Sequence, residues 1–305
     1  MPITPTEKIW MNGELIPWEE ARIHVLTHTL HYGTGVFEGI RAYETDAGPA
    51  VFRLTDHVVR LFNSARILMM EIPYTVDEIV QAVKDTVRAT GLPSCYIRPI
   101  AYYGYGEMGL NTLPCKVDVA IACWPWGAYL GDDALTKGVR MKTSSWVRHD
   151  HNIMPPLAKT TGNYVNSSLA KVEAIKAGYD EAVMLNPQGL VSECTGENIF
   201  AARGGVLVTP PLSAGALPGI TQDSVVTIAR DHGFEVRVAD LTRSDLYICE
   251  EMFVCGTAAE VSAVNSVDDR PIPCPGPMTT AIAEEFGRAV RGQVGRYKEW
   301  CEHVG

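Results

Sequence analysis

Apolar residues recur at intervals of three and four after Thr55, which is the spacing of one buried helical face. This pattern predicts a helix over 55–69. The positions expected on its buried face are Val58, Val59, Leu61, Phe62 and Ala65. A second helix is predicted over 75–89, where Thr75 and Glu78 have the spacing of a capping box.

Short apolar runs elsewhere in the chain predict β-strands. Such runs occupy 95–103, 117–124, 139–145, 181–185, 190–193, 197–202, 206–209 and 252–255. The pair Asn12-Gly13, between two further apolar runs, predicts a hairpin near the amino terminus. Additional helices are predicted over 162–177, 217–233 and 277–300. Because strands and helices are interspersed in this way, we predict an α+β (mixed α/β) fold with mixed sheets.

A stretch without clear periodicity divides the chain. Residues 125–138 contain a proline and three glycines, a composition typical of a connection rather than of a helix or strand. We therefore predict an interdomain linker over 125–138. It would separate a small amino-terminal α/β domain, 1–124, from a larger carboxy-terminal domain, 139–305. A chain of 305 residues is long enough for both.

Charge and cysteine content exclude several classes of protein. The net charge is −10 and there is no basic run, which argues against a nucleic-acid surface or a polybasic membrane patch. No apolar run has the length of a transmembrane helix, and the first residues lack a signal-peptide pattern. None of the eight cysteines forms a C-x-x-C pair, so we expect no metal site. These features predict a cytoplasmic protein with reduced cysteines.

One lysine stands apart from the others in its surroundings. Lys159 is flanked by Leu157, Ala158, Thr160 and Thr161, with no carboxylate beside it. A partly buried amine is more easily neutral, and a neutral amine can attack an aldehyde to form a Schiff base. The alternative, which holds for most lysines, is a solvated side chain in a loop.

Two glycine-containing turns are candidate anion sites. Gly219-Ile220-Thr221 opens a predicted helix, and Gly256-Thr257-Ala258 ends a predicted strand. Backbone N–H groups at such positions bind phosphate oxygens. Neither turn is a P-loop or a dinucleotide-binding fingerprint, and ordinary helix capping remains an alternative explanation for both. A phosphate site would also need an arginine, which these motifs do not identify.

Glu193 is a candidate for a different task. It ends an apolar strand, beside Cys194 and Thr195. A glutamate at a strand end is usually solvated. In an enzyme that uses pyridoxal 5'-phosphate, such a carboxylate can instead hold the pyridine nitrogen in its protonated form.

Seven segments in the same order resemble the branched-chain amino-acid aminotransferases, which are fold-type IV enzymes dependent on pyridoxal phosphate. Characteristic motifs are Phe37-Glu38-Gly39-Ile40-Arg41 and Leu217-Pro218-Gly219-Ile220-Thr221. The segments lie at 31–41, 96–99, 125–129, 159–164, 193–198, 217–221 and 256–260. They span nearly the whole chain, so the resemblance implies the two-domain fold of this class.

The resemblance implies the roles of the cofactor-binding residues. Lys159 would form the Schiff base and act as the proton shuttle, Glu193 would pair with the pyridine nitrogen, and Tyr164 with the phenolic oxygen. Leu217 would pack on the ring. The phosphate would be bound by Arg60, Ile220, Thr221 and Thr257.

The resemblance also implies a substrate pocket. Its apolar lining would be Phe37, Tyr96, Met108, Leu110, Trp126 and Ala258. Carboxylates would be bound by Tyr96, Arg98 and the amides of Thr257 and Ala258. A movable arginine at the edge of the pocket, Arg98 or Arg41, would let one pocket accept both an aliphatic side chain and a carboxylate.

The implied reaction is ping-pong transamination of leucine, isoleucine and valine with 2-oxoglutarate. In the family, the loop that corresponds to Met108–Leu110 reaches the site of a neighbouring subunit, which implies a homodimer at least, with a hexamer as the larger alternative. Alternatives in the superfamily are a D-amino-acid aminotransferase, an (R)-amine transaminase and an aminodeoxychorismate lyase. An alternative of another class is a non-catalytic small-molecule binding protein that has the same fold.

Overall fold

The computed structural model describes residues 3–127, 130–131, 134 and 136–305. Residues 128, 129, 132, 133 and 135 of the predicted linker lie outside the described residues. Two of them, 128 and 129, also belong to the 125–129 motif. Contacts between Cα atoms divide the chain into two units. The first comprises Met1–Trp126, Ala158–Gly162 and Ala289–Gly305, and the second comprises Gly127–Leu157 and Asn163–Arg288.

Strands and helices are interspersed along both units. In chain order the strands are β1 (Lys8–Met11), β2 (Glu14–Pro17), β3 (Gly35–Phe37), β4 (Ile40–Thr45), β5 (Gly48–Phe52), β6 (Cys95–Tyr103), β7 (Val117–Trp124), β8 (Val139–Thr143), β9 (Glu181–Leu185), β10 (Val191–Cys194), β11 (Asn198–Arg203), β12 (Val206–Thr209), β13 (Glu235–Val238), β14 (Glu251–Gly256), β15 (Glu260–Val267), β16 (Arg270–Pro271) and β17 (Cys301–His303). The α-helices are α1 (His28–Tyr32), α2 (Leu54–Ile67), α3 (Val76–Thr90), α4 (Tyr164–Lys176), α5 (Ile220–Asp231), α6 (Arg243–Tyr247) and α7 (Pro277–Ala289).

The first unit is built on an antiparallel sheet with the strand order β17-β5-β4-β6-β7-β1-β2, and β3 pairs with β6 beside this path. The predicted hairpin is confirmed, with Asn12 and Gly13 at positive φ in the turn between β1 and β2. Helices α2 and α3 share one buried apolar core with β6 and β7. The capping box predicted for Thr75 and Glu78 is present at the start of α3.

The second unit contains a mixed sheet with the order β10-β9-β8-β15-β14-β11-β12-β13, and β16 pairs with β15. The pairs β8–β9, β8–β15 and β12–β13 are parallel, and the other pairs are antiparallel. The strands β9, β11 and β14 are buried along nearly their whole length, which explains their continuous apolar sequences. The predicted α+β fold is confirmed, although only the sheet of the second unit is mixed and that of the first unit is antiparallel.

Two predictions about local structure were wrong. Val59 is exposed rather than buried, because Val58 and Leu61 already occupy the inward side of α2. The closing helix ends at Ala289 instead of continuing to Trp300. Gly292 takes a positive φ soon after that end, and the chain then forms β17 at the edge of the first sheet.

The two units differ from the predicted domains in one respect that concerns Lys159. The prediction assigned Lys159 and the chain's last residues to the carboxy-terminal domain, whereas both belong to the first unit. Residues 158–162 join that unit because they pair with β3, and β17 joins it because it pairs with β5. No helix in the described part of the chain combines the length and apolar character that a membrane span requires.

Candidate active site

Lys159 is fixed by its own backbone in the first unit. Its N–H donates to the Ser64 hydroxyl on α2 at 3.0 Å, and its carbonyl accepts from the Phe37 N–H at 3.0 Å. The next residue, Thr160, forms an antiparallel bridge with Val36 on β3. Contacts with helix α2 and strand β3 therefore both fix the position of the Lys159 backbone.

The residues after Lys159 continue this pairing. The Thr161 N–H donates to the Gly35 carbonyl at 2.8 Å, and the Thr161 hydroxyl donates to the Gly33 carbonyl at 2.7 Å. Gly33 has a φ of +66°, and a Cβ there would lie 2.9 Å from the Gly162 Cα. Only glycine permits both this backbone conformation and so close an approach.

The Lys159 side chain is half-buried and lies against an aromatic ring. Its Nζ is 5.1 Å from the centroid of the Phe37 ring. An ammonium group at this distance is attracted to the ring face. Lys159 is thus not the solvated loop lysine of the alternative interpretation.

Arg60 lies in a buried cluster with two residues that the sequence did not single out for a function. The Arg60 Nε donates to Glu38 Oε1 at 2.7 Å, and its Nη2 donates to Glu38 Oε2 at 2.8 Å. The His57 Nδ1 lies 2.7 Å from the same Oε2. The Arg60 guanidinium holds the pKa of Glu38 well below its usual range, against the effect of burial, which raises it. Burial lowers the pKa of His57, so this imidazole is neutral at pH 7.

Arg98 lies among aromatic rings of the first unit. Its guanidinium carbon is 4.8 Å from the Phe37 ring centroid, 5.2 Å from that of Tyr96 and 6.0 Å from that of Trp124. Its Nη2 donates to the Tyr96 hydroxyl at 3.1 Å, while its buried Nε has no hydrogen-bond partner among the described residues. The second candidate for a movable arginine, Arg41, lies 5.0 Å from the Tyr43 ring centroid.

Other predicted pocket residues of the first unit divide into two groups. The rings of Trp126 and Tyr96 are 4.8 Å apart, so Trp126 extends the aromatic cluster around Arg98. Met108 and Leu110 lie outside that cluster, in the loop between β6 and β7, and Leu110 is 85% exposed. The imidazole of His28 anchors this loop, because its Nε2 is 2.7 Å from the Gly109 carbonyl oxygen.

In the second unit, Glu193 is buried at the end of β10 and ion-paired. Its Oε1 lies 2.6 Å from the Nη2 of Arg148. Its Oε2 accepts a hydrogen bond from the Leu217 N–H at 3.0 Å. The Nη1 of Arg148 donates to the Ser167 hydroxyl on α4 at 3.1 Å. No motif in the sequence indicated Arg148, which the fold brings to Glu193 from a loop.

A second buried carboxyl lies near Glu193, but it is not paired in the same way. Burial raises the pKa of Glu197 to about 8, with a further contribution from Glu181. The Lys171 ammonium is 2.7 Å from a Glu181 oxygen, so this cation forms an ion pair with Glu181. Glu197 therefore has a raised pKa, whereas Glu193 lies beside a guanidinium.

The two predicted anion turns both occur in the second unit. Gly219 precedes the first turn of α5, and a Cβ at this position would lie 1.9 Å from Asn198 Oδ1. Ile220 and Thr221 follow as the first residues of α5 and are buried. Thr257 and Ala258 form the turn between β14 and β15 and are partly buried. Tyr164 is the first residue of α4.

The predicted site residues therefore belong to two groups. The first unit contains Phe37, Arg41, Arg60, Tyr96, Arg98, Met108, Leu110, Trp126 and Lys159. The second contains Tyr164, Glu193, Leu217, Ile220, Thr221, Thr257 and Ala258.

Comparison with known proteins identifies the class. The family model described as amino-transferase class IV matches residues 35–267. A branched-chain-amino-acid aminotransferase of Pseudomonas aeruginosa is 49% identical over 294 residues, which cover 96% of this chain and 95% of the relative. One from Salmonella typhimurium is 43% identical and covers 100% of this chain and 99% of the relative.

Solved structures agree with the sequence relatives. The branched-chain amino acid aminotransferase of Escherichia coli has a TM-score of 0.96 and 43% identity, and covers 99% of this chain and 100% of its own. That of Thermobaculum terrenum, in its PLP-form, has a TM-score of 0.93 and 37% identity, and covers 98% of this chain and 99% of its own. The chain belongs to the class IV aminotransferases. Within that family it is a member of the branched-chain-amino-acid aminotransferase group.

Proposed function

We propose that the chain transaminates branched-chain L-amino acids with 2-oxoglutarate, and that its cofactor is pyridoxal 5'-phosphate. The observation that carries this proposal is the similarity over 96% of the chain to a branched-chain-amino-acid aminotransferase at 49% identity. The products would be 2-oxo acids and L-glutamate, formed in two successive half-reactions at one lysine.

The residues present fit the cofactor. Arg60 presents a guanidinium whose orientation is set by two hydrogen bonds to Glu38. The start of α5 supplies backbone N–H groups beside Gly219, where a side chain would not fit, and such helix starts favour phosphate. Glu193 supplies a buried carboxylate, which suits a protonated ring nitrogen.

We assign the cofactor contacts accordingly. Arg60, Ile220, Thr221 and Thr257 bind the phosphate, Glu193 the pyridine nitrogen and Tyr164 the phenolic oxygen, and Leu217 packs on the ring. When bound, pyridoxal phosphate supplies an aldehyde that condenses with amines and a ring that accepts the electrons of a broken Cα–H bond.

Lys159 carries out the proton transfers in this proposal. Its Nζ removes the proton from the substrate Cα as a general base and later returns a proton as a general acid. The backbone bonds from Lys159 to Ser64 and Phe37 keep the start of this side chain in place through both transfers. A catalytic group that is held in place in this way needs little reorganisation before reaction.

Substrate selection is assigned to the aromatic cluster around Arg98. Phe37, Tyr96 and Trp126 offer apolar surface to an aliphatic side chain, and Arg98 offers a cation to a carboxylate. Ala258 completes the apolar lining, and Arg41 is the second candidate for carboxylate binding. The rings around Arg98 stabilise its guanidinium in one position, which favours a fixed Arg98 over a movable one.

The assembly and location are also proposals. We propose an assembly of at least two copies, either a homodimer or a hexamer, in which the loop bearing Met108 and Leu110 reaches the site of a second copy. The large exposure of Leu110 is consistent with such a covered role. We propose a cytoplasmic location.

The test uses the absorbance of the purified holoenzyme. In the unaltered protein and in the control Lys176→Ala, we expect a Schiff-base absorbance band, and borohydride reduction should attach the cofactor covalently to the protein. Both the band and the covalent attachment should be absent in Lys159→Ala. Turnover should be seen with L-leucine and 2-oxoglutarate but not with D-alanine or (R)-1-phenylethylamine. Preference for D-alanine or (R)-1-phenylethylamine would identify one of the alternative enzymes. If the unaltered protein showed no Schiff-base band that borohydride reduces, it would be a non-catalytic binding protein.

A further inference from the structure

We propose that Glu38 and His57 are positioning residues that hold the Arg60 guanidinium in the orientation in which it binds the cofactor's phosphate. This inference rests on the proposed function, in which Arg60 contacts that phosphate. Neither Glu38 nor His57 is expected to touch cofactor or substrate. Both would act only through Arg60.

The geometry of the pair supports an orienting role. Glu38 lies between β3 and β4, and its backbone N–H donates to the Pro99 carbonyl on β6 at 2.9 Å. Its two oxygens then bind two nitrogens of Arg60, which extends from α2. A two-point contact fixes the plane of a guanidinium, whereas a single hydrogen bond leaves it free to rotate. The sheet therefore sets the direction of an arginine that a helix carries.

His57 completes the support from the same helix, three residues before Arg60. Its Nδ1 lies 2.7 Å from Glu38 Oε2, and an ionised carboxylate only accepts hydrogen bonds. The neutral imidazole must therefore carry its proton on Nδ1 and donate it to Glu38. Since Glu38 and His57 are almost completely buried, this hydrogen bond is shielded from water. It restricts the carboxylate and, through it, Arg60.

Exposure indicates which member of the cluster faces a ligand. The side chain of Arg60 is 11% exposed, whereas that of Glu38 is 0% and that of His57 is 1% exposed. The cation is thus the member at the edge of the cluster, and the other two lie behind it. A purely structural ion pair that joins α2 to the sheet is the competing explanation.

The experiment compares two ligands and two backgrounds. Dissociation constants of cofactor-depleted protein are measured by absorbance titration for pyridoxal 5'-phosphate and for pyridoxal, which lacks the phosphate. Glu38→Gln keeps the shape of the side chain and removes its charge. We expect roughly tenfold weaker binding of pyridoxal phosphate and less than about twofold change for pyridoxal, in line with usual coupling energies between contacting residues.

The second background tests whether Glu38 acts through Arg60. In an Arg60→Gln protein, adding Glu38→Gln should leave the remaining affinity for pyridoxal phosphate unchanged within about twofold. The inference would be overturned if Glu38→Gln weakened the binding of pyridoxal phosphate equally in the parent and in the Arg60→Gln protein. It would also be overturned if Glu38→Gln weakened the binding of pyridoxal phosphate and of pyridoxal equally. Either result would mean that Glu38 and Arg60 form a purely structural ion pair. If Arg60→Gln alone left the affinity unchanged, the phosphate role of Arg60 would fail instead.

His57 offers a matched pair of variants should Glu38→Gln fail to fold. The amide nitrogen of His57→Asn can replace Nδ1 as a donor to Glu38, whereas His57→Leu supplies no donor. The asparagine variant should bind pyridoxal phosphate within about twofold of the parent, and the leucine variant several-fold more weakly. Equal affinities of these two variants for pyridoxal phosphate would contradict the positioning role.

Discussion

Among the described residues, each unit of this protein contains a buried carboxylate–guanidinium pair, and the proposed roles within the two pairs are reversed. In the first unit the proposed ligand-binding member is Arg60, which is ion-paired with Glu38. In the second unit the proposed ligand-binding member is Glu193, and we propose that its ion-pair partner Arg148 supports it. The bonds are of similar length, 2.7 Å from Arg60 Nε to Glu38 and 2.6 Å from Arg148 Nη2 to Glu193.

Exposure separates the two pairs more clearly than distance does. Arg60 is 11% exposed and Glu38 is 0% exposed, so geometry alone identifies the outer member of that pair. Arg148 and Glu193 are both 6% exposed, so geometry does not decide between them. The assignment of Glu193 as the member that meets the cofactor rests on family membership.

Both pairs satisfy the requirement that buried charges be paired and hydrogen-bonded. Glu38 has the His57 N–H in addition to Arg60, and Glu193 has the Leu217 N–H in addition to Arg148. Removing one member leaves the other charge buried without its partner, which is costly. Variants must therefore keep the shape of the side chain, and stability has to be measured beside activity.

The largest effect is expected for Glu193→Gln. Glutamine fills the same space but cannot hold the ring nitrogen in its protonated form. We expect turnover of leucine with 2-oxoglutarate to fall roughly 10²–10³-fold, the usual loss when one preorganised electrostatic contact is removed. The measurement is kcat for the overall reaction. Glu284→Gln, at an exposed position of α7, is the matched control, and a Glu193→Gln enzyme within a factor of about two of the parent would contradict the assignment.

A smaller effect is expected for Arg148→Met. Glu193 then keeps its hydrogen bond from Leu217 but loses its neighbouring cation, so the carboxylate becomes a stronger base. If Glu193 pairs with the ring nitrogen as proposed, the stronger base would draw the proton toward itself, and we expect turnover to fall about tenfold. The position of that proton is measured by the ¹⁵N chemical shift of labelled cofactor.

Arg148→Lys is the conservative comparison, because it keeps the charge and loses the planar fork. It should lie between the parent and Arg148→Met in both turnover and chemical shift. If Arg148→Met lowered only the melting temperature and left the chemical shift unchanged, Arg148 would support the fold and not the reactivity of Glu193.

The sequence singled out Arg60 and Glu193 as candidate ligand-binding residues, but it did not indicate the residues with which they are paired. Lys159 and Glu193 were indicated by unusual local surroundings, and Arg60 by the family resemblance. Glu38 lies 22 residues from Arg60 along the chain, and Arg148 reaches Glu193 from a loop that has no distinctive pattern. Such contacts depend on how strands and helices pack, which neither periodicity nor a short motif specifies.

Contacts between residues that are distant in the sequence also explain where the observed fold differs from the predicted one. The capping box of α3 and the Asn12-Gly13 turn are local signals, and both were predicted correctly. The inclusion of residues 158–162 in the first unit depends on pairing with β3, more than a hundred residues earlier in the chain. The end of α7 was missed because apolar residues such as Val290, Val294 and Tyr297 continue beyond it, although the helix stops before Gly292 and residues 295–300 form a 3-10 turn that leads into β17.

The smallest effect is expected at Glu197, a buried carboxyl for which the described residues show no arginine partner. Its pKa of about 8 in the folded protein lies above the 4.5 of an ordinary glutamate, mainly because of burial. The folded state therefore binds one more proton than the unfolded state between these two values, and stability falls as the pH rises through this interval. Its contribution is complete below pH 4.5 and is lost as the pH passes about 8.

Glu197→Gln removes this titration and keeps a neutral side chain of the same shape. We expect the variant to lose less stability than the parent between pH 5.5 and pH 8.5, a change of a few degrees in relative melting temperature. The holoenzyme is followed by thermal unfolding at several pH values, with Glu284→Gln as the control. Parallel pH profiles for parent and variant would mean that Glu197 is ionised in the folded protein. An arginine partner would then not be required to keep a buried carboxyl of this protein ionised.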